Sequence, residues 1–332
     1  MTALKDFKND QVKYGKYYTT KNVFVNNRVF SDFIDRFNLW AEAVLEPFAG
    51  ANHLIKHLQT INNKWTFKAF DLWPNGQNII KNDSLKNWNY GTNVPLIITN
   101  PPYLAKNKAT KLKLGWDYHD QPYDDLYKIA LATMLKNCRF LIAIIPTTLI
   151  YSQQKCDQWL LEKLVKFQII NQNDNFEDAN LLIALAYFDR YKNDNIINFE
   201  LYQNEILIGN YQTLQWSPAR LNHDIKVIFN AKKANLEIKC IDGSKANDLI
   251  RFIDIKTIKR PVKTSDRQIC QIRVEGVNIN EHTISQLNEK LAWLRQHNYH
   301  YLWTTFKSTN QLNQVRRRAR FKLIRQIIQS VL

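Results

Sequence analysis

The chain has 332 residues, which is more than one compact core usually holds, so we expect two domains. With 45% hydrophobic residues, no apolar run of 18 residues, no apolar N-terminal segment and no CxxC pair, it is typical of a soluble globular protein in the cytoplasm, without a membrane anchor, signal peptide or metal site. The net charge of +16 favours a nucleic acid partner, although the lysine-rich composition of AT-rich genomes gives the same excess.

Short apolar runs alternate with helical patterns through the first two hundred residues. Near-continuous apolar runs predict strands that are covered on both faces, at 43–45, 67–70, 96–98, 140–145, 167–170 and 181–188. Helical spacing occurs between them, at residues 52–59 and 124–137. This alternation predicts an α/β fold with a doubly wound, mostly parallel sheet, which binds ligands at the carboxyl ends of its strands.

The pattern changes beyond about residue 205, where the strand–helix alternation weakens. We place the boundary there, with residues 1–205 as a ligand-binding catalytic domain and residues 206–332 as a smaller second domain. An apolar stripe predicts a helix over residues 312–331, and its other faces carry Arg316, Arg317 and Arg318. We expect these arginines to contact nucleic acid phosphates; a solvated helix docked by its stripe is the alternative.

The most specific chemical feature is the segment in which the strand at 96–99 runs directly into Asn100, Pro101, Pro102 and Tyr103. Two prolines fix φ and remove two backbone donors, so the loop is stiff and its carbonyls can accept hydrogen bonds. The Asn100 side-chain oxygen and the Pro101 carbonyl would hold the hydrogens of an aromatic NH2 group, which favours a pyramidal nitrogen that can attack an electrophilic methyl. Tyr103 offers a stacking face for a planar ring. The alternative is a structural Pro-Pro turn.

Acidic residues follow the neighbouring strands in an order that suits a nucleotide-like ligand. Glu46 precedes a turn of small residues around Gly50, which lets a ligand approach the backbone, and its carboxylate can bind a cationic amino group. Asp71 ends the second strand and suits ribose hydroxyls, and Asp83 follows a further short apolar pair. Each acid alone is more often a loop or N-cap residue, so the order and spacing carry the prediction.

Taken together, these motifs resemble the gamma class of S-adenosylmethionine-dependent amino-methyltransferases of DNA, the adenine-specific, Asn-Pro-Pro-Tyr type found in restriction–modification systems. The resemblance covers about residues 14–190, with a Tyr-Thr motif first, the glycine turn next and Asn-Pro-Pro-Tyr later. It implies a Rossmann-like doubly wound methyltransferase sheet followed by a smaller C-terminal target-recognition domain. Two departures are Thr20, where proline is usual, and Asn52, where glycine or another small residue is common.

The resemblance also implies roles for individual residues. Asn100 and Pro101 would hold the target amino group in a loop completed by Pro102, while Tyr103 and Phe176 would sandwich the base flipped out of the duplex. A core position is an equally good interpretation of Phe176. The implied S-adenosylmethionine contacts are Tyr18, Thr19, Glu46, Phe48, Ala49, Gly50, Asp71, Asp83 and Asn100.

Double-stranded DNA is the implied substrate and a companion restriction endonuclease a plausible partner, with monomer and dimer both open. We expect Lys106, Lys108 and Lys111, which follow the proline loop, to contact phosphates; a solvated, flexible lid is the alternative. The aromatic and polar segment 115–123 suits a DNA-facing loop.

Other functions remain open on the same motifs. A protein glutamine methyltransferase acting on release factors uses Asn-Pro-Pro-Tyr too, but it places a helical domain ahead of the cofactor motif, and here that motif begins near residue 44. RNA amino-methylation and DNA cytosine-N4 methylation involve the same chemistry. A DNA-binding protein that kept the fold without activity is disfavoured by the presence of Asp71, Asp83 and Asn100.

Overall fold

The computed structural model describes residues 22–88, 90–91, 94–170, 182–192, 195–257, 266 and 268–332. The chain folds into two compact units, of which the first ends at Asn210 and the second runs over Tyr211–Leu332. The boundary proposed from the sequence, at 205/206, falls inside a hairpin formed by Glu200–Gln203 and Ile206–Asn210. That hairpin extends the sheet of the first unit, which is why the first unit continues to Asn210.

A nine-stranded sheet forms the centre of the first unit. Its strands are β1 (Val44–Glu46), β2 (Phe67–Asp71), β3 (Ile79–Lys81), β4 (Val94–Thr99), β5 (Cys138–Pro146), β6 (Leu164–Ile170), β7 (Ile183–Asp189), β8 (Glu200–Gln203) and β9 (Ile206–Asn210). They are arranged in the order β3-β2-β1-β4-β5-β7-β6-β8-β9, and all are parallel except β7 and β9. This topology confirms the predicted doubly wound α/β fold. The strand order reverses between β1 and β4, which is where such sheets bind ligands.

The central strands are buried on both faces, which explains their uninterrupted apolar sequences. In β5 the consecutive residues Ile142 and Ala143 point to opposite faces, and both are fully buried. Ile97 in β4 and Leu185 in β7 are fully buried as well. The central strands are therefore held in a solvent-excluded layer and have little freedom to shift.

Five helices of the first unit lie in the described residues: α1 (Arg28–Arg36), α2 (His53–Gln59), α3 (Lys106–Lys111), α4 (Leu126–Asn137) and α5 (Lys155–Glu162). The predicted helix at 52–59 starts one residue later, because Asn52 has a left-handed conformation with φ of 63°. The predicted helix at 124–137 starts at Leu126, because the Asp125 side chain caps it by accepting from the Tyr127 amide. Within the described ranges, no helix is long and apolar enough to cross a membrane.

The second unit has a four-stranded antiparallel sheet and two long helices. Its elements are β10 (Lys226–Phe229), β11 (Leu236–Lys239), β12 (Arg251–Ile253), β13 (Ile269–Glu275), α6 (Glu281–Gln296), β14 (Thr304–Thr309), β15 (Val315–Arg318) and α7 (Phe321–Val331). The sheet has the order β10-β13-β11-β12, while β14 and β15 form a separate hairpin. Its core joins sheet residues such as Ile238 and Ile272 to Leu291 of α6 and Ile327 of α7.

The prediction of one helix over residues 312–331 was wrong for its first half. Residues Val315–Arg318 form a strand, and the helix begins at Phe321. The reason is the side chain of Arg317, which is 2% exposed and donates hydrogen bonds to the carbonyls of Tyr301 (3.0 Å) and Trp303 (3.5 Å). Pairing with β14 thus overrides the local helical pattern, and Arg317 cannot contact phosphates as predicted.

Candidate active site

A cavity of about 420 Å³ opens beside the carboxyl ends of β1, β2 and β4, where the strand order reverses. Its size lies within the range of roughly 300–1,000 Å³ that is typical of small-molecule sites. Every predicted cofactor residue in the described part of the chain lines it: Glu46, Phe48, Ala49, Gly50, Asp71, Asp83 and Asn100. Tyr18, Thr19 and Phe176 lie outside the described residues, so their roles stay predictions.

Glu46 is a buried carboxyl group at the end of β1, only 1% exposed. Its Oε1 accepts hydrogen bonds from the Phe48 amide (2.8 Å) and from Thr99 Oγ1 (2.6 Å), while its Oε2 has no hydrogen-bond partner. Burial raises the pKa of Glu46 to about 8, against the smaller opposing effect of the Thr99 and Phe48 hydrogen bonds. A buried carboxylate oxygen without a partner is costly, and a cationic ligand group would stabilise it.

Asp71 holds the turn that follows β1. Its Oδ2 accepts from the Gly50 amide at 2.8 Å, and its Oδ1 accepts from the Trp73 amide at 2.8 Å. Gly50 has a φ of 54°, a left-handed conformation that glycine adopts without steric cost. Asp71 therefore fixes the turn from the neighbouring strand, and both of its oxygens keep a second lone pair for a ligand.

The departure at Asn52 is explained by its backbone conformation. Asparagine is among the few residues that tolerate the left-handed region, so it can replace glycine at this position. Its side-chain amide also donates to the Gln77 carbonyl at 2.8 Å, which links the first turn to the loop after β2. We therefore interpret Asn52 as a substitute for glycine that also braces the turn.

Asp83 is positioned by its neighbour Ser84. The Ser84 hydroxyl, which is 4% exposed, donates to the Pro47 carbonyl at 2.7 Å and thereby links the loop after β3 to the turn after β1. Asp83 accepts a hydrogen bond from the Leu85 amide at 3.2 Å and lies on the cavity wall. Three separate strands thus present their acids to one cavity, as the sequence order predicted.

The Asn-Pro-Pro-Tyr loop leaves β4 at the same cavity. Asn100 and Pro102 line it, whereas Pro101 is buried and Tyr103 is only 5% exposed. The single proton of the Tyr103 hydroxyl is shared between two acceptors, the Asn100 side-chain oxygen and the Ile144 carbonyl at 2.5 Å. The Tyr103 ring packs edge-on against Tyr127, and Tyr103 is not among the residues that line the cavity. We therefore describe Tyr103 as a positioning residue for Asn100 and no longer assign it base stacking.

The residues after this loop are tied to the start of α4. The Leu104 amide donates to Asp125 Oδ1 at 3.1 Å, and the Leu126 amide donates back to the Leu104 carbonyl at 3.2 Å. Burial raises the pKa of Asp125 to about 7. One turn further along α4, the buried Lys128 forms ion pairs with Asp124 (2.7 Å) and with the fully buried Asp157 (2.6 Å). Residues 105–124, which include α3, therefore form a long loop whose two ends are held together.

Residues 114–118 line the cavity, and the sequence interpretation missed this. The sequence predicted a DNA-facing loop at 115–123, whereas Leu114, Gly115, Trp116, Asp117 and Tyr118 line the cavity together with Asp83. Trp116 is only 8% exposed. The aromatic composition was a visible signal, but nothing in the sequence showed that the chain turns back to the cavity.

The predicted phosphate contacts have different surroundings. Lys106 and Lys111 are exposed and Lys108 is half-buried, all on the short helix α3. Arg318 is exposed, whereas Arg316 donates to the Asp242 carbonyl at 2.8 Å. The exposed members of this set stay predicted DNA contacts.

No protein-family model and no curated protein matches the sequence. Among solved structures the chain is similar to the methyltransferase subunit of a type I restriction–modification system from Streptococcus thermophilus, at 11% identity and a TM-score of 0.43 over 59% of this chain and 50% of that one. It is also similar to the M protein of the type I restriction enzyme EcoKI (12%, 0.34, 48% and 44%) and to the DNA-bound type ISP restriction–modification enzyme LlaBIII (13%, 0.42, 63% and 22%). The chain spans half or less of the length of these proteins.

Proposed function

We propose that this protein transfers a methyl group from S-adenosylmethionine to an exocyclic amino group of a DNA base, and that the base is adenine, methylated at N6. The observation that carries the proposal is the position of Asn100, on a proline-stiffened loop, in the same cavity as Glu46, Asp71 and Asp83. One wall can bind a cationic, ribose-containing ligand and the other can accept hydrogen bonds from an amino group.

The residues present fit S-adenosylmethionine. The partnerless Oε2 of Glu46 would pair with the ammonium group of the methionine part, and a cation at this position would lower the pKa of the buried carboxyl. Asp71 would accept from the ribose hydroxyls and Asp83 from the amino group of the adenine ring. When bound, the cofactor supplies an electrophilic methyl group on a sulfonium.

The chain's own part in the chemistry is to hold the amino group of the base. The Asn100 side-chain oxygen and the Pro101 carbonyl would accept its two hydrogens, which localises the lone pair on the nitrogen. A nitrogen–carbon bond then forms as the carbon–sulfur bond breaks, and the surplus proton leaves the nitrogen for water. We propose direct transfer without a covalent enzyme intermediate, because an amino nitrogen with a localised lone pair can attack the methyl carbon itself.

DNA is the proposed substrate because of the charge of the chain and the exposure of its cations. The net charge is +16, and Lys106 and Lys111 are exposed on α3, close in sequence to Asn100. A base inside a duplex cannot reach the cavity, so the target nucleotide must flip out. We assign target recognition to the unit that begins at Tyr211 and place the protein in the cytoplasm, in a restriction–modification system with a companion endonuclease.

The test is methylation of unmodified plasmid DNA with labelled S-adenosylmethionine, followed by nucleoside mass spectrometry. We expect N6-methyladenine at a defined sequence, and no product with Asn100→Ala. N4-methylcytosine would change the assigned base, whereas labelling of RNA or of a glutamine-containing protein in place of DNA would contradict the substrate. Absence of any cofactor binding would remove the proposal as a whole.

A further inference from the structure

The loop at residues 114–118 lines the cavity although no cofactor role follows from the sequence motifs. We infer that Trp116 and Tyr118 hold the purine ring of the cofactor, so that this loop forms the adenine-binding end of the site. The inference rests on the proposed function, because it names the residues that would contact one part of the proposed cofactor.

The first argument is the internal order of the loop. The Trp116 indole donates through Nε1 to the Tyr118 carbonyl at 3.1 Å, which fixes the orientation of the indole. The two rings are edge-on, with centroids 5.8 Å apart and an interplanar angle of 75°. Two aromatic side chains at a cavity wall provide a flat apolar surface and an edge, which suits a planar heteroaromatic ligand.

The second argument is the position of the loop relative to the acids. The charges of Asp83 and Asp117 lie close enough to Tyr118 to add to the effect of burial, and together they raise the pKa of its phenol to about 12. Tyr118 therefore lines the same cavity as Asp83, the residue proposed to accept from the adenine amino group. Leu85 and Leu114 add apolar lining. An aromatic surface beside an acceptor matches a purine that carries an exocyclic amino group.

The third argument concerns how the loop is attached. Lys86 Nζ lies 3.1 Å from Asp117 Oδ2, but the two side chains are 48% and 67% exposed, so solvent screens the ion pair and it contributes little. The same Lys86 Nζ lies 5.8 Å from the centre of the Tyr118 ring. The ends of the long loop are fixed at Leu104 and Asp125, and this exposed ion pair contributes little at its tip. A stacked purine would therefore add substantially to the order of the tip.

The experiment compares two ligands by calorimetry: S-adenosylmethionine, and 5′-methylthioadenosine, which has the purine and ribose without the amino acid part. We expect Trp116→Ala to weaken both ligands by the same factor, about tenfold or more, since stacking on an aromatic side chain contributes substantially to base binding. Trp116→Phe should restore most of the affinity. Glu46→Gln should weaken S-adenosylmethionine alone, which separates the two ends of the cavity.

Trp293→Ala, in the second unit and 37% exposed, is the matched control and should bind both ligands like the wild type. A general folding defect would lower the melting temperature and would not be corrected by Trp116→Phe, in which case Tyr118→Leu provides the same comparison. If the wild type binds both ligands and the Trp116→Ala and Tyr118→Leu variants bind them with unchanged affinity, the inference is overturned but the proposed function stays intact. If the wild type binds neither ligand, both fail.

Discussion

Thr99 donates a hydrogen bond from Oγ1 to Glu46 Oε1 over 2.6 Å, and both residues are almost fully buried. Thr99 ends β4, directly before Asn100, and Glu46 ends β1. This contact joins the strand that would position the methyl acceptor to the strand that would bind the methyl donor. Displacement of either strand end would therefore disturb both halves of the proposed reaction.

Cofactor binding should depend on pH through Glu46. Because the pKa of Glu46 is raised to about 8, its carboxyl is protonated at pH 6 to 7 and must lose this proton to pair with an ammonium group. Affinity should rise by up to about tenfold per pH unit from 6 to 8 and then fall as the α-amino group of the ligand, with a pKa of about 7.7–8.0, is neutralised. Calorimetry in two buffers of different ionisation enthalpy would measure the released proton.

In the Glu46→Gln variant, the increase from pH 6 to 8 should disappear and affinity at pH 8 should fall. Thr99→Val removes the hydrogen bond to the carboxylate, so the pKa of Glu46 should rise further and the affinity maximum should weaken. A wild-type affinity that stays constant from pH 6 to 8 would contradict the proposed pairing of Glu46 with the ammonium group.

The stability of the unliganded protein should decrease from pH 6.5 to pH 8. Between these values the folded protein keeps a proton on Glu46, with a pKa of about 8, which the unfolded chain, with a pKa near 4.5, has lost. The free energy of unfolding should therefore fall, by at most about 1.4 kcal/mol per pH unit for this group. Asp125, with a pKa raised to about 7, adds to the lower part of this range.

Urea unfolding at fixed pH values would measure this slope, and Glu46→Gln is the control that should flatten it. His300 acts in the opposite direction only at lower pH, because burial and neighbouring arginines lower its pKa to about 3. The comparison is therefore made above pH 6.5. Equal slopes for the wild type and for Glu46→Gln would show that the carboxyl is not protonated in the folded state.

Asn100 and Tyr103 should differ in how their loss affects turnover. Asn100→Ala should reduce kcat below detection while cofactor affinity falls far less, because the side chain acts mainly on the methyl acceptor. Tyr103→Phe removes the hydroxyl that positions Asn100 and should lower kcat by about tenfold to a hundredfold, with cofactor affinity unchanged. Single-turnover kinetics would measure both. If Tyr103→Phe kept full activity, the positioning role would be refuted.

Neighbouring arginines of β15 should separate stability from DNA binding. Arg317→Ala leaves the carbonyls of Tyr301 and Trp303 without their donor in a buried region, so it should destabilise the protein by about 2–4 kcal/mol. Arg318→Ala, at an exposed position, should change stability by less than about 0.5 kcal/mol and weaken DNA binding. Chemical unfolding would measure the stability of both variants, and a fluorescence assay would measure their DNA affinity. If Arg318→Ala were the destabilised variant and Arg317→Ala the one with weaker DNA binding, the strand assignment would be contradicted.

The lysines of α3 should contribute to the salt dependence of DNA binding. If Lys106 and Lys111 each contact one phosphate, the double substitution to Gln should reduce the magnitude of the slope of log K against log salt by about 2. Lys136→Gln, on α4 at the opposite end of that helix from the proline loop, serves as the control and should leave the slope unchanged. An unchanged slope in the α3 double variant would favour the solvated-lid interpretation.

The sequence alone predicted the central strands of the first unit and the acids at their ends, because these signals are local. Apolar runs such as 140–145 are strands buried on both faces. Glu46 and Asp71 end their strands, and Asp83 and Asn100 lie within two residues of a strand end. Parallel strands bring such residues to one edge of the sheet, so chain order alone placed them around one cavity. The hairpin at 200–210 was missed because its short strands lack a distinctive pattern.

Where the prediction failed, long-range contacts determine the structure. Arg317 lies in a strand because this strand pairs with β14 and the Arg317 side chain donates to two carbonyls that are distant along the chain. No local pattern in the sequence shows these contacts. The Tyr103 ring is buried because the Ile144 carbonyl, on the neighbouring strand, accepts from its hydroxyl. Trp116 reaches the cavity because the long loop is fixed at Leu104 and Asp125. Each of these partners is at least nine positions away along the chain.

The hairpin that completes the nine-stranded sheet also forms one edge of that sheet, where another molecule could pair with it. In its last strand, Ile206–Asn210, the side chains of Ile206 and Leu207 are 70% and 55% exposed. Exposed apolar side chains on an edge strand favour association between two copies of the chain. The strand is short, however, and its pairing with Glu200–Gln203 shifts register between Leu201 and Tyr202. A short edge strand with irregular pairing is a poor template for the addition of another strand. Concentrated solutions of this protein should therefore resist fibrous aggregation, despite the two exposed apolar side chains on the edge strand.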